Sequence, residues 1–247
     1  MTVIEILAVV LAGLGAGMIN TVVGSGTLVT FPTLLWVGLP PVTANVTNTV
    51  GLVPGAVSGA WGYRRELVGQ RDRLVRLGSG TLAGAVVGST LLLVLPPDVF
   101  ATVVPLLIAL ACVLVLIQPW LVGKLKDRPR HAHGGPLVWL LVFGTGVYGG
   151  YFGAAQGVIL IAVLALGLDE TLQRVNAAKN VLAGLANLVA GLIFIVVADV
   201  DWAVAGLVAT GAIAGGVLGA RLARLLPATA LRGVVVLIGI IAVVTLL

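Results

Sequence analysis

The residues best suited to chemistry lie in one short stretch, 174–180, which reads RVNAAKN. It combines Lys179 with the side-chain amides of Asn176 and Asn180, and it opens a long apolar run. A lysine within hydrocarbon costs about 2.5–3.5 kcal/mol or more, so it normally lines a polar cavity or extends back to the membrane surface. A cation flanked by amide donors is suited to binding a small oxyanion.

The same stretch is predicted to begin a helix, with Asn176 as its cap and Lys179 in its first turn. The free N–H groups and positive dipole end of a helix N-terminus also attract anions. We therefore predict an anion-binding site here. The alternative is that Lys179 is a charge at the membrane edge that only helps to orient the chain.

A weaker copy of this stretch lies in the first half of the chain, at 44–48, and reads ANVTN. Thr47 stands where the second half has Lys179, and Asn45 and Asn48 flank it. This partner is predicted to supply neutral donors rather than a second cation.

Two glycine-rich breaks, at 13–26 and 144–157, interrupt the apolar runs near the start of each half. They carry Ser25 and Gln156, and their exposed backbone N–H groups are predicted to complete an anion-binding nest. The alternative is that they are simple flexible turns.

Composition places the chain in a membrane. It is 60% hydrophobic and only 9% charged, whereas soluble domains are about 25% charged. The apolar runs are continuous rather than alternating, which favours helices over a barrel. We predict an all-α, polytopic helical membrane protein with the lipid bilayer as its surroundings.

Ten apolar segments are predicted, five on each side of a polar linker. They are 4–19, 28–37, 42–61, 74–95, 99–122, 137–151, 158–168, 176–198, 202–223 and 228–247. Spanning a bilayer takes about 17–25 residues, a length that the third to fifth segments of each half reach. The first two of each half are shorter and glycine-broken, and form either two tilted spans or a re-entrant hairpin.

The basic residues predict the orientation. If the segments cross in this order, all 14 Lys and Arg residues fall on one face. The positive-inside rule makes this face cytoplasmic and puts both termini outside. Because orientation accounts for the net charge of +5, no nucleic-acid partner is expected.

The two halves are predicted to be repeats. Gly84, Gly88 and Pro96 recur at one constant offset as Gly215, Gly219 and Pro227. The predicted organisation is repeat 1 at 1–122, a cytoplasmic linker at 123–136 and repeat 2 at 137–247, within one membrane domain. An odd number of segments per half inverts the second copy, a plan that recurs in secondary transporters with the substrate at the repeat interface. The alternative is a duplication with a purely architectural role.

Glycine faces recur in both halves, at Gly80, Gly84 and Gly88 and at Gly211, Gly215 and Gly219. They are compatible with a homodimer and equally with packing inside one chain. No nucleophile–base set, metal-ligand cluster or P-loop is recognisable, so neither an enzyme nor a cofactor is expected. No Asp or Glu lies well inside an apolar segment, which argues against a carboxylate proton relay.

The motifs resemble the TauE/SafE family of sulfite exporter-like permeases. The matching stretches are 148–153, 174–180 and 200–202 in the second half, and 24–28, Pro32, 45–48 and 61–65 in the first. One departure is Gln156, where the family pattern commonly has glycine. Another is the first glycine-rich stretch, which is thinner than usual.

The resemblance implies a prokaryotic inner-membrane transporter that exports small sulfur-containing anions such as sulfite, sulfoacetate or other organosulfonates. An anionic substrate fits Lys179 as the countercharge. The alternatives are a permease or channel for another small solute, or a membrane accessory subunit that transports nothing.

Overall fold

The computed structural model describes residues 1–124, 135–222 and 228–246. Side chains are described for these residues except 121–124, 166, 228–230 and 245–246. Most of the predicted linker, 123–136, therefore lies outside the described residues, as does Pro227 of the repeat pattern.

The described residues form ten α-helices. They are α1 (Val3–Val22), α2 (Thr27–Trp36), α3 (Pro41–Gly62), α4 (Arg71–Val94), α5 (Pro97–Lys124), α6 (Pro136–Tyr151), α7 (Gln156–Gly167), α8 (Leu172–Val197), α9 (Trp202–Leu222) and α10 (Ala228–Leu246). Each predicted segment corresponds to one helix, in order, because each apolar run ends at glycine, proline or a polar group. The all-helical membrane fold class is confirmed.

The start of α8 was predicted wrongly. The helix begins at Leu172, and its cap is Thr171, whose hydroxyl accepts from the backbone N–H of Arg174 at 3.4 Å. Threonine caps a helix almost as well as asparagine and comes earlier in the chain. Lys179 is therefore about 10 Å along the helix axis from Leu172, where the backbone N–H groups are bonded within the helix. The predicted first-turn anion site capped by Asn176 does not exist.

Within the described residues, five helices are long and apolar enough to cross a membrane: α1, α4, α5, α8 and α9. The 22-residue α3 is long enough but more polar. Its polar side chains Asn45, Thr47, Asn48 and Thr49 are all buried. We infer that α3 is shielded from lipid by the other helices, which lets it carry more polar groups than a lipid-facing span.

The glycine breaks fold each half back on itself. A Cβ on Gly15 of α1 would lie 3.9 Å from Val29 of α2, so α2 runs back along α1. With 10 and 12 residues, α2 and α7 are about 15 and 18 Å long, against a hydrocarbon core of about 30 Å. The second segment of each half is therefore short, as predicted. The first segment was also predicted to be short, but α1 has 20 residues and is long enough to span a membrane.

The two halves interlock through glycine faces. In one contact α1 packs on α9, where a Cβ on Gly215 would lie 2.9 Å from the Leu14 carbonyl carbon. In the other α6 packs on α4, where a Cβ on Gly84 would lie 2.8 Å from the Val147 nitrogen. Exchanging the halves turns one contact into the other, which agrees with the predicted repeats; the repeats and their inversion stay a prediction. Because these faces are occupied within the chain, a homodimer would need another surface.

Candidate functional site

The two glycine breaks touch each other in the interior. The backbone N–H of Gly157 donates to the carbonyl of Gly24 at 3.0 Å. A Cβ on Gly24 would lie 2.5 Å from the Gly157 Cα, and Gly24 has φ +92°, so glycine is required there for both space and conformation. This contact joins the start of one half to the start of the other.

Lys179 projects from α8 toward this contact and is fully buried, with 0% of its surface exposed. Its ammonium donates to the backbone carbonyls of Asn20 at 2.7 Å and Thr21 at 3.4 Å. Both residues belong to the last turn of α1, whose carbonyls lack helical partners and carry the negative end of the dipole. None of the described Asp and Glu residues forms an ion pair with Lys179. Within the described part of the chain, its hydrogen bonds go to carbonyl dipoles and not to a carboxylate.

Asn176 and Asn180 converge on the same helix end. Their side-chain amides donate to the Thr21 carbonyl at 3.1 and 3.3 Å. Asn176 thus caps the C-terminus of α1 instead of the N-terminus of its own helix. Its Oδ1 is buried without a hydrogen-bond partner among the described residues.

A small cavity of about 30 Å³ lies beside these contacts. Its walls come from both halves and include Asn20, Thr27, Gln156, Asn180 and Asn187. The Gln156 side chain is 3% exposed, and its Nε2 has no hydrogen-bond partner among the described residues. The cavity is therefore lined by amides, one of which has an unused donor.

The first-half residues are arranged differently. Asn45 donates to the Tyr151 carbonyl at 2.9 Å, at the end of α6, while the hydroxyl of Thr47 accepts from the backbone of Asp201 at 3.1 Å. Asn48 bonds the hydroxyls of Thr27 and Thr30. The Asn45 Oδ1 is buried without a hydrogen-bond partner among the described residues, and none of Asn45, Thr47 and Asn48 lines the cavity.

Of the eight predicted site residues, the structure brings four to one place. Asn180 and Gln156 line the cavity, and Lys179 and Asn176 lie against α1 next to it. Ser25 is buried beside the break, with its hydroxyl unpaired among the described residues. Asn187, which is outside the predicted set, also lies on the cavity wall, two turns beyond Asn180. Its spacing of seven residues from Asn180 was the signal for this placement.

A second charged cluster ties the halves together at the basic face. Glu170, just before α8, accepts from Arg73 at 3.1 Å and from Arg174 at 2.7 Å. Arg174 also donates to the Val68 carbonyl at 3.1 Å. Burial alone raises the pKa of the Glu170 carboxyl, but the hydrogen bonds and charges of Arg174 and Arg73 outweigh it, so the pKa is lower than usual. This cluster joins the α3–α4 and α7–α8 connections.

The whole chain matches one family. The model of the sulfite exporter TauE/SafE family covers residues 9–246. The protein therefore belongs to the TauE/SafE family, a class of membrane transporters and not of enzymes. It is a multi-pass membrane protein.

Curated relatives carry compatible descriptions. The probable membrane transporter protein YfcA of Escherichia coli K12 is 28% identical over 208 residues, covering 84% of this chain and 76% of the relative. A probable membrane transporter protein of Haemophilus influenzae is 29% identical over 238 residues, covering 95% and 91%. The probable membrane transporter protein ORF9 of a Sinorhizobium species is 26% identical over 235 residues, covering 94% and 88%. No solved structure matches the chain.

Proposed function

We propose that this protein is a secondary transporter that exports small sulfur-containing anions, such as sulfite, sulfoacetate or another organosulfonate, by alternating access. Lys179 is the countercharge, and Asn180 and Gln156 are the principal donors. Other polar groups near the breaks complete the site as the protein changes conformation: Asn176, Asn45, Asn48, Thr47 and Ser25.

One observation carries the proposal. Lys179 is fully buried, pairs with no carboxylate of the described residues, and lies next to an amide-lined cavity where the halves meet. Burying a charge that no carboxylate neutralises costs free energy. Charged residues retained within membrane segments at this cost usually belong to a binding site or an ion pathway. An anion entering the cavity would meet both the positive charge and the unused Gln156 donor.

The size of the cavity supports a carrier over an open channel. A volume of about 30 Å³ exceeds the roughly 10–15 Å³ that one water needs, yet leaves little room for a larger solute. Substrate entry therefore requires the two halves to separate around the Gly24–Gly157 contact. A movement of this kind between repeats is the general mechanism of transporters with broken helices.

We also propose that the basic face is cytoplasmic in a prokaryotic inner membrane, with both termini outside. The contact from Arg174 to Val68 brings the basic first turn of α8 to the same face as the arginines of the α3–α4 connection. A single face rich in arginine agrees with the positive-inside rule.

Proteoliposome flux tests the function. The purified protein is reconstituted, and uptake of labelled sulfite, sulfate, thiosulfate, sulfoacetate, taurine and acetate is measured with and without the same anion inside. We expect the uptake of at least one sulfur anion to be saturable. This uptake should also be faster when the same anion is present inside the vesicles. Flux that neither saturates nor accelerates with anion on the other side would support a channel, and preference for acetate would reject the sulfur class. No flux of any solute would favour an accessory subunit.

A further inference from the structure

A second cavity lies at the basic face, between the C-terminal ends of α3 and α9. It has a volume of about 210 Å³ and shares no lining residue with the interior cavity. Its walls include Trp61 and Arg64 from the end of α3 and Arg221 from the last turn of α9. The two helices are tied together there, because the Ser58 hydroxyl donates to the Ile213 carbonyl at 3.1 Å.

The two arginines are available to bind an anion. The Arg64 guanidinium lies 4.3 Å from the centre of the Trp61 ring, and one of its N–H groups donates to the Trp61 carbonyl at 3.3 Å. A guanidinium has five N–H donors, so most of those on Arg64 remain unused. Arg64 and Arg221 are both exposed, and neither pairs with a carboxylate among the described residues. Two guanidinium groups at one cavity match the geometry of a phosphate.

The remaining wall is apolar. Trp61 is 61% exposed, and Val217 and Ala220 continue the surface along α9. Tryptophan at the end of a membrane helix usually lies at the level of the lipid headgroups. Basic pockets between membrane helices on the cytoplasmic side are the general form of anionic-lipid sites. The C-terminal ends of α3 and α9 repel an anion, because each helix end carries about half a negative charge. Together they amount to about one negative charge, against the two positive charges of Arg64 and Arg221.

We propose that this cavity binds the headgroup of an anionic phospholipid. Its phosphodiester lies between Arg64 and Arg221, while the glycerol and the upper acyl chain lie along Trp61 and Val217. Free phosphate offers the same anionic oxygens, but only a lipid also uses the apolar wall. The proposal does not depend on which solute the protein transports.

Lipid titration of the delipidated full-length protein in a neutral detergent tests this. Phosphatidylglycerol and phosphatidylcholine with identical acyl chains are added, with inorganic phosphate as a third arm. Bound lipid is counted by native mass spectrometry, and the melting temperature is recorded. The test variant is Arg64→Gln with Arg221→Gln. The matched control is Arg71→Gln with Arg76→Gln, which removes the same charge from two exposed arginines of α4.

We expect the wild type and the control to bind one phosphatidylglycerol in preference to phosphatidylcholine, with a rise in melting temperature. The test variant should bind it at least about tenfold more weakly, since each basic residue near the headgroups contributes to anionic-lipid attraction. Trp61→Leu retains an apolar side chain and should weaken phosphatidylglycerol binding less than the double variant does. It replaces the double variant as the test if that variant does not fold.

Equal loss in the test and control variants would overturn the proposal, because the attraction would then belong to the whole basic face. A melting-temperature rise of the same size with inorganic phosphate alone would overturn the lipid assignment. Equal binding of phosphatidylcholine would overturn the role of the arginines.

Discussion

The protein buries cationic side chains in two regions, and it compensates their charges differently. At the basic face, Arg73 and Arg174 share the carboxylate of Glu170. In the interior, the Lys179 ammonium donates to the carbonyls of Asn20 and Thr21, and no carboxylate of the described residues pairs with it. A carboxylate neutralises the charge of a nearby cation. Carbonyl dipoles reduce the free-energy cost of burying the cation but leave its net charge in place.

This difference suggests that the basic-face cluster stabilises the fold and that Lys179 serves substrate binding. The basic-face cluster is complete without a ligand, so its removal should weaken the fold and leave the transport site intact. The interior lysine pairs with no carboxylate of the described residues, so its replacement should abolish anion binding and spare the fold. Opposite effects on flux and stability would establish this division.

The largest effect is expected for Lys179→Met, which keeps the length of the side chain and removes the charge. Sulfur-anion flux in proteoliposomes should fall at least about tenfold, because the countercharge is lost. The melting temperature without ligand should stay the same or rise, since a buried charge without a carboxylate partner is costly.

Arg76→Gln is the control for Lys179→Met, because it removes an exposed positive charge from the basic face. Its flux should match that of the wild type. A Lys179→Met protein that transports normally, or that melts much earlier, would make Lys179 a structural residue.

The contact between the breaks is tested by Gly157→Ala. The new Cβ would lie 2.9 Å from the Lys179 Cδ and 2.5 Å from the Gly24 Cα. Overpacking of this kind should destabilise the protein by about 1–3 kcal/mol and reduce flux.

Gly144→Ala in α6 is the matched control, because nothing lies within 4 Å of its new Cβ. It should be neutral or stabilise by up to about 1 kcal/mol. Equal melting temperatures for the two variants would contradict the close contact.

The basic-face cluster is tested by Glu170→Gln, which leaves Arg73 and Arg174 without their shared carboxylate. We expect a loss of about 1–3 kcal/mol at neutral pH, with flux per folded molecule nearly unchanged. Asp169→Asn, at the exposed neighbouring position, should have little effect on melting.

The effect of Glu170→Gln should depend on pH. The folded-state pKa of Glu170 lies below its ordinary value of 4.5, so its stabilisation is complete above that value. It is lost as the pH falls through the lowered pKa. The difference in melting temperature between wild type and variant should therefore shrink in acid. A difference that persists unchanged at the lowest pH would show that the carboxylate charge is not its cause.

The smallest effect is expected for Asn187→Ala, on the far wall of the interior cavity. Losing one neutral donor should weaken apparent substrate affinity about two- to tenfold, with little change in maximal flux. Kinetics in proteoliposomes give both values. An unchanged affinity would place Asn187 outside the site.

The sequence was sufficient to predict the ten helices, because hydrophobic runs and glycine or proline breaks are local signals. It also singled out Lys179, Asn180 and Gln156, which the structure places in or beside one cavity. The helix boundary at Asn176 was wrong because Thr171 offered an equally good cap five residues earlier, and local propensity alone does not rank the two.

The contacts of the candidate residues were not predictable in this way. The sequence placed Lys179, Asn176 and Asn180 at the N-terminus of their own helix, whereas their side chains bond the C-terminus of α1. This pairing crosses more than 150 positions of the chain. Nothing in the local pattern around Lys179 indicates which end of which helix lies opposite.

By itself, the sequence determined that this chain enters a membrane as helices and carries Lys179 near the start of a long apolar run. Both follow from the transfer free energy of side chains, which depends on composition and short-range order. Only the tertiary structure decided that Lys179 bonds two carbonyls and, within the described part of the chain, no carboxylate, and that Gly24 meets Gly157. Such contacts arise from how helices pack, which depends on residues far apart in the chain.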